Sequence, residues 1–398
     1  MSSGRALLPP PVYGNCTVEV ISSEESFLGL KQEWCRLLDV TRNASVFADF
    51  DWVLGWWRHV GSKDAYLGPK RLSVLAVRQG GKITCLAPLM VRTVSRRSLA
   101  IRKVEFIGST FHDYNDLLCE GKAGGQIEAV VAELAAQQAS WDVVDLRSIP
   151  AESKTPGLFA KALANSDLHW RVRPDDPCPY LPIQTDWSGF LETLSRGSRS
   201  TLRKQANRLK RLETEGWRIR LIENPQDERD LLERMIQVEA RKLVHGSPGN
   251  RFLGDVREFF GFVFQALGAA GRLYVAVLEK PGELVAYQMG FRCADKLWGY
   301  TKAFDPAQAR YSPGTMLVPA VFDYGFRKGY REYDFLRGDE AYKRRWTTDA
   351  HRTVRIQVWK RQWRSRLLAW IYFRLRPRVY RSRWLSRLGV PYAPDGEV

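Results

Sequence analysis

Two carboxylates in the second half of the chain have the type and setting for proton transfer. Glu239 lies on LLERMIQVEARKL, where helical spacing puts Met235, Val238 and Lys242 beside it. A carboxylate partly removed from water holds its proton more tightly, which suits a general base at neutral pH. A helical salt bridge to Arg234, Arg241 or Lys242 is the alternative. Asp334 alternates with Tyr333 and Phe335 in REYDFL, so it faces away from both, and a carboxylate in an apolar strand needs a partner or a task. Lys343 could be that partner, steady an oxyanion or bind an acidic acceptor. In the first half, His112, Asp113, Tyr114 and Asp116 follow the strand VEFIG. Loops at the carboxyl edge of an α/β sheet collect ligands, which makes this quartet a substrate-binding candidate, although Asp and Asn also build turns.

An anion site is suggested by YSPGTMLVPAVFDYGFRKGYREYDFL. Ser312 is a preferred N-cap, Pro313 a preferred first helical residue, and Gly329 falls where a helix stops. A helix opening from a glycine-bearing loop presents unpaired N–H groups and the positive end of its dipole, which suits phosphate. Pro319 weakens the helix assignment. A strand follows at Arg331 to Leu336.

The elements that must position these residues occur twice. LSVLAVRQGGKITCLAPLMV (Leu72 to Val91) and RLYVAVLEKPGELVAYQMGF (Arg272 to Phe291) both read as hairpins, turning at Gly80-Gly81 and Pro281-Gly282. Two helical stretches precede each: Glu24 to Asp39 and Asp51 to Val60, then Asp227 to Leu243 and Val256 to Leu267. A further strand (VEFIG, KLWGY), a polar loop, a helix and a last strand (from Trp141, from Arg331) follow each. The fold class expected is α/β (α+β), two similar units in tandem. Their bounds are 18–186 and 187–350, with a basic helix at 188–215 joining them and a basic, aromatic helical tail over 351–398.

The 398 residues, 44% apolar, are ample for two cores. No apolar run is long enough to span a bilayer and the N-terminus does not read as a secretory signal, so the expected location is cytoplasmic. Six cysteines lack a C-x-x-C pair and read as buried thiols, without a metal site or a disulfide framework. No G-x-S-x-G or G-x-x-x-x-G-K-[ST] motif supports a hydrolase or a phosphate-binding loop of that kind.

The net charge of +17 is concentrated in two places. From His351 onward, twelve cations face two acids and are interleaved with Trp359, Trp363, Trp370, Tyr372, Phe373 and Trp384. That pattern suits an anionic membrane surface, peripheral on the inner face, or a helix packed on the protein body. SRGSRSTLRKQANRLKRL carries seven cations from Arg196 to Arg211 and no acid. Leucines at 191, 194, 202, 209 and 212 mark its buried face, and CoA phosphates, nucleotide-linked sugars, tRNA and lipid headgroups all fit the other.

Asp113-Tyr-Asn-Asp116, Glu239-Ala-Arg-Lys242, Tyr311-Ser-Pro-Gly314, Tyr333-Asp-Phe-Leu-Arg-Gly-Asp339 and Tyr342-Lys343 together resemble FemAB-like members of the GNAT acyltransferase superfamily, closest to the CelD-like branch of cellulose and exopolysaccharide clusters. The resemblance covers roughly residues 20 to 350. It implies two GNAT-like domains and an acetyl-CoA or longer acyl-CoA co-substrate, with no metal. It also implies transfer to a small-molecule or saccharide acceptor. Glu239, Tyr300, Asp334 and Lys343 would then be catalytic, Tyr300 protonating the leaving thiolate. Arg310, Ser312, Gly314 and Thr315 would bind the CoA phosphates, within the loop Phe304 to Thr315. His112, Asp113, Tyr114, Asp116, Arg241 and Lys242 would bind the acceptor. The family loop has Gln or Arg, two residues, Gly, one residue, then Gly or Ala; here Gly314 follows Arg310 four residues later and a second glycine is missing. FemAB-like relatives that use aminoacyl-tRNA keep the fold without that donor, so tRNA is the alternative partner. A non-catalytic scaffold docked on membrane is a third reading.

Overall fold

The computed structural model of the protein describes residues 11–41, 45–64, 68–96, 99–244, 254–370 and 372. Contacts divide the chain into two compact units, the first holding most of the chain up to Asp175 together with the described residues from Thr353, the second holding Arg58–Val60 and Asp176–Arg352. The division falls within a strand, eleven residues before the expected boundary at 186.

The strands of the first unit are β1 (Val12–Tyr13), β2 (Cys16–Ile21), β3 (Lys70–Leu72), β4 (Val74–Gln79), β5 (Lys82–Ala87), β6 (Leu89–Arg96), β7 (Leu99–Phe106), β8 (Leu118–Cys119), β9 (Val143–Pro150) and the start of β10 (Leu168–Pro182). Its helices are α1 (Glu24–Gly29), α2 (Lys31–Val40), α3 (Phe50–Trp56), α4 (Gly124–Ala136) and α5 (Thr155–Ala164). The β4–β5 hairpin turns at Gly80 and Gly81, both with positive φ, as the sequence predicts. Pro88 separates β5 from β6, and a residue without an N–H cannot continue a ladder. The strands accordingly part into two sheets, β1-β2-β4-β5-β8 and a second containing β9-β7-β6-β3.

The second unit has α6 (Trp187–Thr193), α7 (Arg196–Glu213), β11 (Arg218–Ile222), α8 (Leu231–Val244), α9 (Arg257–Ala269), β12 (Leu273–Lys280), β13 (Glu283–Cys293), β14 (Lys296–Phe304), α10 (Pro313–Lys328) and β15 (Glu332–Asp334). Its strands run β11-β12-β13-β14-β15 and then the end of β10. Met316, Leu317, Val321 and Phe322 of α10 pack on Tyr274, Ala276, Leu278, Leu297, Tyr333 and Phe335. The crossover repeats the first unit: β7, α4 and parallel β9 there, β14, α10 and parallel β15 here. Tandem units of one element order are what the paired hairpins predicted. Pro319 sits inside α10 without ending it.

Three expectations change. The single linking helix is two, because Ser195 caps α7 by accepting from the Ser198 N–H at 3.1 Å, which fixes a break after α6. The tail expected from residue 351 opens instead as strand β16 (Ala350–Lys360), antiparallel to β9 in the first unit, since HRTVRIQVWK alternates with period two. Helix α11 (Trp363–Trp370) follows, and the rest of the expected tail lies outside the described residues apart from Tyr372. Finally, Cys85 and Cys119 are directly opposed on β5 and β8 and form a disulfide, and Cys35 is exposed, so the cysteines are not uniformly buried thiols.

Candidate active site

The centre of the second unit is the place where two parallel strands separate. β15 pairs with β14 only at Lys296–Trp298, after which β14 continues to Phe304 without it. Just beyond that point the β13–β14 register slips: Gly290 pairs with Gly299 and Met289 with Thr301, leaving Tyr300 as the extra residue of a bulge. Bulges re-aim a side chain and interrupt the ladder, as many sites require. Both paired glycines are obligatory, because a Cβ on Gly299 would collide with Tyr333 Oη and one on Gly290 with Tyr274 Oη.

These hydroxyls belong to a buried network on the α10 side of the sheet. Gln288 Nε2 donates to Tyr333 Oη at 2.6 Å. Burial and the neighbouring Tyr274 push the Tyr333 hydroxyl well above its ordinary range, so it stays a phenol. Lys302, directly across from Gln288, places its ammonium 3.7 Å from the centre of the Tyr342 ring.

On the other face, Asp334 is 1% exposed and accepts the Leu336 N–H at 2.6 Å. Glu332 Oε1 meets Lys296 Nζ at 2.7 Å and His351 Nε2 at 3.0 Å, while the imidazole stacks on Tyr180 at 4.1 Å. Burial raises the Glu332 carboxyl, but the hydrogen bonds from His351 and Lys296 outweigh it and leave it below its usual range. Burial alone would lower His351; the Glu332 hydrogen bond and the charges of Glu332 and Asp334 reverse that and raise it. The donor atoms of Glu332, Asp334 and His351 lie within 4.8 Å of one another, a spacing that could hold a cation. Lys296 already supplies a positive charge on the same Glu332 oxygen.

The other expected residues have their own settings. Glu239 is 2% exposed and accepts from Tyr287 Oη at 2.6 Å, with Lys242 Nζ at 3.9 Å. Tyr300 packs its ring against Phe291 and Phe260. Arg241 pairs with Asp305 at 2.8 Å and donates to the Leu284 carbonyl. Lys343 is buried and donates to the carbonyls of Leu336, Arg337 and Gly338 at 2.8–3.0 Å, with Glu340 at 2.8 Å; these contacts fasten the loop after β15, and Asp334 is not among them. Ser312 begins α10 in the left-handed region, φ 56°, and its hydroxyl does not cap the helix. The first turn of α10 thus lacks a side-chain cap, with Gly314, Thr315 and the exposed Arg310 beside it.

Sequence reasoning treated α7 and this loop separately, and the structure brings them together. Gln205 Nε2 donates to Thr315 Oγ1 at 2.8 Å, and Arg208 donates to the Tyr311 carbonyl at 3.1 Å. His112, Asp113, Tyr114 and Asp116 belong to the first unit. His112 is buried, stacks on Phe47 and lies 2.8 Å from Asn115 Oδ1. Asp116, raised by burial, accepts from Thr155 Oγ1. Three site residues escaped the sequence reading. Glu332 was legible as an acid two residues before Asp334, whereas His351, beyond the motif, and Lys302, one polar residue in an apolar strand, gave no signal.

Residues 196–344 match the family described as acetyltransferase (GNAT) domain. Among solved structures, FemX aligns with TM-score 0.57 at 11% identity, over 85% of this chain and 98% of that one. The C-terminal domain of a proposed lysylphosphatidylglycerol synthetase from Agrobacterium fabrum aligns with TM-score 0.51 at 14% identity, over 86% and 95%. Among curated proteins no relative matches. The fold is therefore two GNAT-like units, and the match of the second to a GNAT acetyltransferase domain makes the protein by class an acyltransferase.

Proposed function

We propose that the chain is an acyl-CoA-dependent N- or O-acyltransferase acting on a sugar or amine in polysaccharide or cell-envelope metabolism. The observation that carries this is the parting of β14 from β15 at the Tyr300 bulge, beside the uncapped first turn of α10. In this reading the donor phosphates lie against α10, Arg310 and α7, and the acyl carbon reaches the bulge. Glu239 or Asp334, the latter with His351 near it, takes the acceptor proton, and Tyr300 protonates the leaving group. Calorimetry and transfer assays with acetyl-CoA, longer acyl-CoAs and a panel of amino sugars test it. Binding of none of the acyl-CoAs, with salt-sensitive binding of charged tRNA, would instead support an aminoacyl-tRNA donor. That second reading is favoured by Arg203, Lys204, Lys210 and Arg211, which among the described residues have no acidic partner. The CelD-like resemblance supports a saccharide acceptor.

We further propose a peripheral place on an anionic membrane. No helix among the described residues is long and apolar enough to cross one. Trp363, Leu367 and Trp370 on α11 are 77%, 47% and 50% exposed and share one face, with Arg364 and Arg366 nearby. Liposome sedimentation with all three apolar residues changed to serine, at low and high salt, tests this.

A further inference from the structure

We propose that the opening between β14 and the segment after β15 contains an anion subsite built on Lys302, and that it takes a phosphate of the acyl donor. This rests on the donor reading above. Lys302 is half-buried and, among the described residues, its ammonium meets no carboxylate and no hydrogen-bond acceptor; its one close contact is the Tyr342 ring. Such a position is costly for a cation. Desolvation, then the nearby Lys343 ammonium, lower Lys302 to about 8, only partly offset by Glu340. Among the described residues the other titratable groups about the opening are Tyr274, Tyr333 and Tyr342.

Two further observations point to a ligand. Gln288, the cross-strand partner of Lys302, is 3% exposed, and among the described residues one end of its amide has no hydrogen-bond partner; with Oε1 turned to accept from Tyr333 Oη, its Nε2 is a donor free for an anion. Direct cross-strand partners share a face, so the amide and the ammonium border the same opening. Phe304, two residues beyond Lys302 and on that face, lies against Gly314 at the start of α10. The subsite therefore continues the anion-attracting end of α10 down the strand. The Lys343 ammonium is taken up by three carbonyls and Glu340, so the Lys302 ammonium is the cation that meets the anion, and the phosphate could come from CoA or from the 3′ end of an RNA.

The test uses the full chain and three probes: inorganic pyrophosphate, CoA and a short oligoribonucleotide ending in CCA. Wild type should bind at least one by calorimetry, and the preferred probe identifies the source. Lys302→Met should weaken that binding about tenfold or more, as loss of a charge-assisted contact does, and Lys302→Arg should restore most of it. Wild-type binding should weaken as pH rises through about 8, and Lys302→Arg should carry that loss to higher pH. Lys302→Met gives up the contact with the Tyr342 ring but also the desolvation of the ammonium, so its melting temperature should stay close to that of wild type. Unchanged binding in Lys302→Met, or no binding of any probe by wild type, overturns the subsite. Lys302-dependent binding without acyl transfer from any donor would sink the acyltransferase reading and leave the subsite; undiminished donor binding and transfer in Lys302→Met would do the reverse.

Discussion

The charge on His351 is maintained by its neighbours. Glu332 accepts from it and Asp334 adds negative potential, so its folded affinity for a proton exceeds the unfolded one. A group raised in this way contributes stability that is complete below its unfolded value of about 6.5 and is lost as pH rises through the folded value. His351→Gln should therefore flatten the decline in urea midpoint as pH rises above about 6.5, and an unchanged decline would dismiss the coupling. Catalysis makes a separate demand. Glu239→Gln and Asp334→Asn preserve shape and should each lower turnover about a hundredfold with melting temperature little changed, if either carboxylate is the base. Full activity in both would return them to structural roles. Asp334 was legible because a strand carboxylate between two aromatics needs a reason. His351 was not, since stacking on Tyr180 depends on how β10 and the end of the chain meet Glu332.

At the scale of elements, the hairpins and crossovers were legible because apolar alternation, glycine turns and capping residues agree. Where they erred, a local feature had been given too little weight: Ser195 starting a new helix, Pro88 dividing a long strand, alternation in HRTVRIQVWK outvoted by its charge. The β14 bulge could not be read, because it depends on what Gly290 and Gly299 face across the sheet. It makes a firm prediction. Gly299→Ala sets a methyl against Tyr333 Oη and should cost about 1–3 kcal/mol in urea unfolding, the usual penalty for overfilling a packed site. Adding Tyr333→Phe removes the nearest colliding atom and leaves Cζ, so it should recover part of that loss, and additive costs would show that the contact is not the cause. At the mouth of the site, Arg310→Glu reverses an exposed charge beside the uncapped α10 turn. It should weaken CoA binding roughly tenfold at low salt, and less at high salt.

For the whole molecule, the decisive correction concerns the end of the chain. A detachable basic tail could be deleted without harm, but β16 is a strand of the first unit and brings Arg355 to Asp145 at 2.5 and 2.7 Å. Tyr372 Oη donates to the same carboxylate at 3.1 Å. Asp145 and Arg355 are 1% and 3% exposed, and Lys103, Glu105 and Arg92 extend the buried ion network across β7 and β6. Burial pushes Asp145 and Glu105 up, yet their cations prevail, holding Asp145 well below its ordinary range and Glu105 at about 2. Carboxylates depressed in this way contribute stability that is full above their unfolded values and is lost as pH falls through the folded ones. The first unit should consequently lose this contribution between about pH 4.5 and pH 2. Removing one member of a buried pair strands the other charge, so Arg355→Met should cost about 3–5 kcal/mol, whereas Arg355→Met with Asp145→Leu should recover much of it. Truncation after Arg352 removes the pair, the strand and its apolar contacts together, and should unfold the first unit in circular dichroism and limited proteolysis. A truncated chain that kept its wild-type melting temperature would restore the separable tail and show that β16 adds nothing the first unit needs.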